Sequence, residues 1–236
     1  MNKILSLTQS HSKRIFRDSF LLFISFLPFL MGLLYRILIP ELRQLLISHF
    51  DLSLYYPLIM LFLVMMSPLL FGWVIGFSLL DDRDEDILAY MSITPLQKTG
   101  YLQFKIIAPV FISIIQGYLV LLIANLCPMD YIKLLPVIIL AAMEAPLFAL
   151  AQGVFAGNKV EGLAVGKLLG LVLIGPFISY FVDSPLAYLA GIIPPFWITE
   201  TYFSEGPQYW MGLGIGLVVH IIFLIGMSKL FNKRQG

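Results

Sequence analysis

Charge is what this sequence has least of. Asp, Glu, Lys and Arg make up 12% of its 236 residues, about half the share of an ordinary globular domain. Hydrophobic residues make up 59%, and the mean hydropathy is +0.91. A soluble enzyme or a nucleic-acid-binding module is excluded on that ground, and no nucleic-acid partner is expected. Cysteine is nearly missing as well. Cys127 stands alone, which excludes a disulfide within the chain and any cysteine-based metal site; it reads as a small apolar residue near a helix end. A complete phosphate-binding loop is also lacking. The nearest run, "EGLAVGKLLG" at 161–170, is one residue short between Gly162 and Gly166, and Leu168 stands where a Ser or Thr would hold magnesium. There is no Ser/His/Asp set, no H-E-x-x-H motif, no low-complexity tract and no long linker. Residues 1–236 therefore read as a single membrane domain with no catalytic, cofactor-binding or metal-binding residue of its own.

What is present is a series of apolar runs of roughly twenty residues, long enough to cross a hydrocarbon core of about 30 Å as helices. We place six spans at 19–39, 56–80, 105–127, 132–156, 163–183 and 208–231. The first run is too long for the apolar part of a cleavable signal, about 7–15 residues, and reads as a retained span. Lys and Arg set the orientation, because cytoplasmic loops carry an excess of them. With the N-terminus inside, twelve of the fifteen lie on the cytoplasmic side, and only Arg36, Arg43 and Lys133 lie outside. Both termini are then cytoplasmic.

Two regions depart from a plain up-and-down bundle. Residues 1–18 carry Ile4, Leu5, Leu7, Ile15 and Phe16 among basic residues, the pattern of an interfacial helix. Residues 184–207, "SPLAYLAGIIPPFWITETYFSEGP", are apolar but too broken to span. Pro194 and Pro195 remove two N–H donors and are expected to stop a helix midway. A re-entrant hairpin on the outer side is predicted, with Tyr188, Trp197 and Tyr202 at headgroup level.

Polar residues at depth are few. Glu144, in "AAMEAPLFALAQG", falls near the middle of the fourth span, and Pro146 beside it loosens the local hydrogen bonding. A carboxylate at that depth faces the bundle interior or a water-filled cavity. Two readings stand: Glu144 lines a substrate path with Gln116 and His220, or it is protonated and bonded to a neighbouring helix. His220 reads as a packed hydrogen-bonding residue before a metal ligand. Five G-x-x-x-G pairs, at Gly72/Gly76, Gly153/Gly157, Gly162/Gly166, Gly166/Gly170 and Gly212/Gly216, clear helix faces for close approach, within the bundle or between subunits.

The densest charge lies at 81–86, where Asp81, Asp82, Asp84, Glu85 and Asp86 sit between spans two and three. Such acids suit a magnesium-diphosphate site, as in a membrane-embedded prenyl or lipid-diphosphate transferase, but the facing second cluster is missing. A solvated loop is the plainer reading. The third takes the segment 81–104 whole. Acids favour a helix start, so "DEDILAYMSI" forms a short cytoplasmic helix that ends before Thr94-Pro95, and "GYLQFK" leads back into the membrane.

That arrangement resembles the ABC-2 type permeases, the membrane subunits of ABC exporters. The resemblance rests on Glu85 to Lys105, above all Thr94-Pro95-Leu96 and Tyr101 to Lys105, and on the architecture of nearly the whole chain. It implies an all-α, ABC-2 or type V exporter-like fold in a bacterial plasma membrane. It further implies a separate ATPase subunit that carries ATP and magnesium, and a second permease copy or paralogue. Glu85, Asp86, Ile87, Tyr90, Met91, Thr94 and Pro95 would be the ATPase-coupling residues. Gly166 and Gly170 would be the subunit-interface candidates, since the family's dimer contact lies mainly on spans one and five. The cargo would be a drug, a peptide or a lipid-like compound. A proton-coupled secondary transporter working through Glu144 is the remaining alternative, weakened by the absence of a repeat between the two halves.

Overall fold

The computed structural model describes residues 19–92 and 97–235. The expected interfacial helix at 1–18, and Thr94 and Pro95, lie outside the described residues. Among the described residues there is no strand, and six helices are long and apolar enough to cross a membrane: Leu22–Leu46, Leu52–Asp84, Gly100–Ala124, Tyr131–Phe155, Lys159–Phe181 and Gly206–Arg234. They correspond one to one with the six expected spans. Span one runs past its expected end, through Pro40, to Leu46.

The spans are not equivalent. Spans two and four are 72% and 78% buried inside the chain, against 17–33% for the other four, so these two form the axis and the rest surround it. Their close crossing has a local cause in the sequence. A Cβ added at Gly72 would stand 2.6 Å from the Ala145 carbonyl oxygen, and one at Gly76 would collide with the Gln152 side chain. With no hydrophobic drive between helices in lipid, such backbone approach and the dispersion it allows do much of the holding. The other glycine pairs are largely used in the same way. Gly153 packs on Phe231, Gly162 on Leu80 and Phe77, Gly212 on Thr201, and Gly216 on Trp197 and Leu140.

Span four is broken near its middle. It consists of two helices, Tyr131–Ala142 and Glu144–Phe155, joined at Met143. Pro146 has no N–H for the carbonyl four residues back and crowds it. Asp130 starts the first half by accepting bonds from the amides of Ile132 (2.9 Å) and Lys133 (3.1 Å).

Between spans five and six the chain forms a helical hairpin, a 3-10 stretch Pro185–Ile192 followed by an α-helix Pro194–Phe203. A helical stretch does stop ahead of Pro194 and Pro195, as expected, and a second helix starts on them. The first amides of a helix have no internal partner, so proline there deletes donors that would otherwise be stranded. The next amide, on Phe196, bonds the Ile193 carbonyl at 3.0 Å. This helix lies along span six, with Trp197 against Gly216 and Thr201 against Gly212. Its proline start therefore points back into the bundle, toward the break in span four. Trp197 departs from expectation too. It is 7% exposed and donates from Nε1 to the Gly191 carbonyl at 2.7 Å, whereas Tyr188 is 52% exposed.

Candidate functional site

Two polar centres stand out, one at the acidic end of the bundle and one at its middle. At the acidic end the helix of span two continues through Asp84. Asp81, Asp82 and Asp84 thus end span two instead of beginning the next helix, and the expectation is corrected. Carboxylates at a helix C-terminus oppose the macrodipole, so partners must compensate, and two of these acids have them. Asp82, fully buried, accepts from Lys105 Nζ and from the Tyr101 hydroxyl (2.7 Å). Lys105, equally buried, also donates to the Ser78 carbonyl (3.2 Å) and hydroxyl (3.0 Å). Asp81 pairs with Lys159 at the start of span five, 2.9 Å away. Next to them in sequence, Arg83 caps the end of span four, donating to the Ala156 carbonyl (2.8 Å) and to that of Gly153. Three consecutive residues therefore tie the foot of span two to spans five, three and four.

The turn out of this foot is tight. Asp86 takes a left-handed φ of 54°, a conformation Asp tolerates better than most residues. The helix Ile87–Ser92 follows. Ile87 and Met91, one turn apart, pack against the cluster of Phe71, Ile75, Leu79, Tyr101 and Leu102. Tyr90 is 65% exposed, and Asp84, Glu85 and Asp86 are exposed beside it. Of the residues expected at a partner contact, Glu85, Asp86 and Tyr90 thus face outward, and Ile87 and Met91 seat the helix on the bundle.

At mid-bundle, Glu144 opens the second half of span four. Its Oε1 lies 2.9 Å from Nε2 of His220 on span six, a contact across 76 residues of sequence. The His220 Nδ1 lies 2.7 Å from the Gly216 carbonyl oxygen. A carbonyl only accepts, so Nδ1 carries a proton and Nε2 faces the carboxyl. One further proton is shared along the Oε1–Nε2 line, and the pair is neutral overall whichever atom holds it. Beside it lies a cavity of about 100 Å³ lined by Glu144, Leu147, Phe148 and Ala151 of span four, by Leu169, Val172, Phe223 and Met227 of spans five and six, and by Pro194 and Pro195. Gln116 does not join this centre. Its amide nitrogen donates to the Ser25 carbonyl of span one at 3.1 Å, and its Oε1 has no partner among the described residues.

Of the interface candidates, Gly166 is covered within the chain, since a Cβ there would stand 2.6 Å from the Trp73 ring. Gly170 has nothing within 4 Å of such a position. The sequence reading missed Asp82, Lys105, Tyr101, Arg83 and Lys159 as a network. The available signal was Tyr101 and Lys105, four residues apart in "GYLQFK" and so on one helical face. Among the described residues, no group of three or more His, Cys, Asp and Glu is placed to hold a metal.

At the opposite end, an open cleft of about 700 Å³ lies between the starts of spans four and six, beside Asp130, Lys133, Glu205, Tyr209 and Trp210. Lys133 lies over the rings of Tyr202 and Tyr209 there. Burial raises the pKa of Tyr202 above its ordinary value.

A family model described as "Fluoroquinolones export permease protein Rv2686c-like" matches residues 11–228. Two Mycobacterium tuberculosis proteins, each named a fluoroquinolones export permease protein, are similar to the chain. One is from strain CDC 1551 / Oshkosh and one from strain ATCC 25618 / H37Rv. Each is 24% identical over 227 residues, covering 93% of this chain and 90% of its own. No solved structure matches.

Proposed function

The chain belongs to the Rv2686c-like family of fluoroquinolones export permease proteins, and from that premise we propose that it is the membrane subunit of an ATP-driven exporter of the ABC-2 type. It sits in a bacterial plasma membrane with both termini cytoplasmic, works as a pair of permease chains, and takes its energy from a separate ATPase that binds ATP and magnesium. The hairpin Pro185–Phe203 dips into the bilayer from the outer side. The relatives' name makes fluoroquinolones the first cargo to test.

One observation carries this reading. The helix Ile87–Ser92 between spans two and three is seated by Ile87 and Met91, and its root is tied to three other spans through Asp81, Asp82 and Arg83. A push on its exposed side, at Glu85, Asp86 and Tyr90, reaches the buried axis of the bundle directly. The exposed acids meet basic groups on the ATPase. Thr94 and Pro95 complete the contact.

The test is transport in proteoliposomes carrying the chain and its partner ATPase. ATP-dependent fluoroquinolone uptake into inside-out vesicles is expected. Glu85→Ala combined with Tyr90→Ala lowers it several-fold while the ATPase still hydrolyses ATP. Full transport by a chain lacking residues 84–96 would sink the proposal. The transferase alternative is disfavoured because Asp81 and Asp82 are turned toward different lysines, Lys159 and Lys105, and do not converge on a common point.

A further inference from the structure

We infer that the mid-bundle cavity is a binding subsite, entered sideways from the bilayer, for a neutral lipid-soluble ligand that brings one N–H donor on an apolar arm. The inference deepens the export reading and rests on it for the meaning of the site.

Position supplies the first argument. Spans five and six share no extensive packing; each packs on span four and on the hairpin. The cavity lies in the gap between them, and Leu169, Val172, Phe223 and Met227 on its two flanks are only half-buried. A molecule dissolved in the acyl chains reaches Glu144 through that gap without passing an aqueous mouth. The space of about 100 Å³ equals roughly three water volumes. It admits a polar group and a few carbons, and the bulk of a larger ligand stays between the spans.

The chemistry supplies the second. Glu144 is the one ionisable residue among those lining the cavity. His220 is fully buried behind it and is occupied at both ring nitrogens. Glu144 Oε1 is taken by His220, and Oε2 has no hydrogen-bond partner among the described residues. The shared proton lies on the Oε1–Nε2 line, so Oε2 is an acceptor whether that proton rests on Glu144 or on His220. An acceptor facing an apolar space at mid-bundle gains most from a donor, because leaving it unpaired away from water is costly. The pair is neutral as a unit and offers no net countercharge, which disfavours a permanent cation.

The test is equilibrium binding to the full chain in phosphatidylcholine nanodiscs, with no ATP and no partner. The probe is a dansyl fluorophore on a four-carbon arm ending in an acetamide N–H, compared with its N-methyl analogue. The N–H probe is expected to bind about tenfold tighter. Glu144→Leu abolishes that preference, and Glu144→Gln retains it, because a glutamine still turns an oxygen to the cavity. Val172→Trp, which leaves the polar pair intact and fills the gap, weakens both probes. Equal binding of the two probes overturns the inference. So does loss of the preference in a folded Glu144→Gln chain, which points to ion pairing instead, or unchanged binding in Val172→Trp. Binding that behaves as expected in a chain that fails to export would reject the export reading and leave the subsite standing.

Discussion

At the acidic end, Asp82 is gripped by Lys105 and Tyr101, and its neighbours Asp81 and Arg83 are tied to two further spans. At mid-bundle, Glu144 has one hydrogen-bond partner among the described residues, His220, and an apolar cavity beside it. Both acids are buried, yet one is a brace and the other is poised to change partner. The difference lies in how each is held. Asp82 Oδ2 accepts from two strong donors, one of them a cation held by two more oxygens, in a fully buried site. A carboxyl that shares one proton with an imidazole keeps an oxygen for a newcomer. Burial alone therefore does not mark a functional acid; spare hydrogen-bonding capacity next to space does.

The comparison breaks most readily at the brace. Lys105→Met strands a buried carboxylate, a change that typically costs about 3–5 kcal/mol. The chain should lose most of its folded yield in detergent. Asp82→Leu combined with Lys105→Met should recover much of that yield, as seen by size-exclusion profile and thermal midpoint. If the single variant is as stable as the parent, Asp82 is no brace.

Packing on the axis comes next. Gly72→Leu drives a side chain into the Ala145 backbone, and overpacking of this kind costs about 1–3 kcal/mol or more. A thermal midpoint lowered by several degrees is expected, whereas Gly170→Leu, in open space, should leave the isolated chain unchanged. A loss of pairing between permease chains in Gly170→Leu alone would make that position a contact between copies.

At mid-bundle the effects on stability should be smaller and the effects on transport larger. Glu144→Gln keeps a hydrogen bond to His220 Nε2 and should shift the thermal midpoint little. Glu144→Leu should alter cargo transport several-fold without preventing assembly. An unchanged cargo profile in Glu144→Leu would return Glu144 to a purely structural role.

The smallest effect is expected at the surface. Asp51 accepts from Arg43 at 2.7 Å and from the Ser53 amide at 3.0 Å. The Arg43 hydrogen bond, then the Ser53 bonds, hold its pKa well below the usual carboxylate range. A depressed folded pKa contributes stability above the ordinary Asp value near 4 and loses it as pH falls below that value. The pair is solvent-exposed and salt-screened, so Asp51→Asn should change the midpoint barely at pH 7, and by less still as pH falls from about 4 through the depressed folded value.

Much of this was legible in the residues. Apolar runs of about twenty, the skew of Lys and Arg, and the short segment between spans two and three follow from local composition, because crossing a bilayer is a requirement each segment meets by itself. The glycine pairs were legible as close-approach faces, but not which helix each would meet. The proline pair was legible as a break but not as a helix start, for a similar reason. Whether Pro194 and Pro195 end one helix or begin another depends on which side finds a partner, and span six with its small residues Gly212 and Gly216 supplies that partner.

Three outcomes were decided only in three dimensions. Five acids in six residues look alike in sequence, and helix phase alone turns Asp82 inward to Lys105 while Asp84, Glu85 and Asp86 stay in the open. Glu144 and His220, each a lone polar residue in its own span, become one centre through the packing of spans four and six. Gln116, read beside them as a third member, is carried instead to span one. Hydropathy is a sum over neighbours along the chain and is enough to decide that the protein lives in lipid. A hydrogen bond has direction and needs a partner at about 3 Å, and for these residues only the bundle provides it.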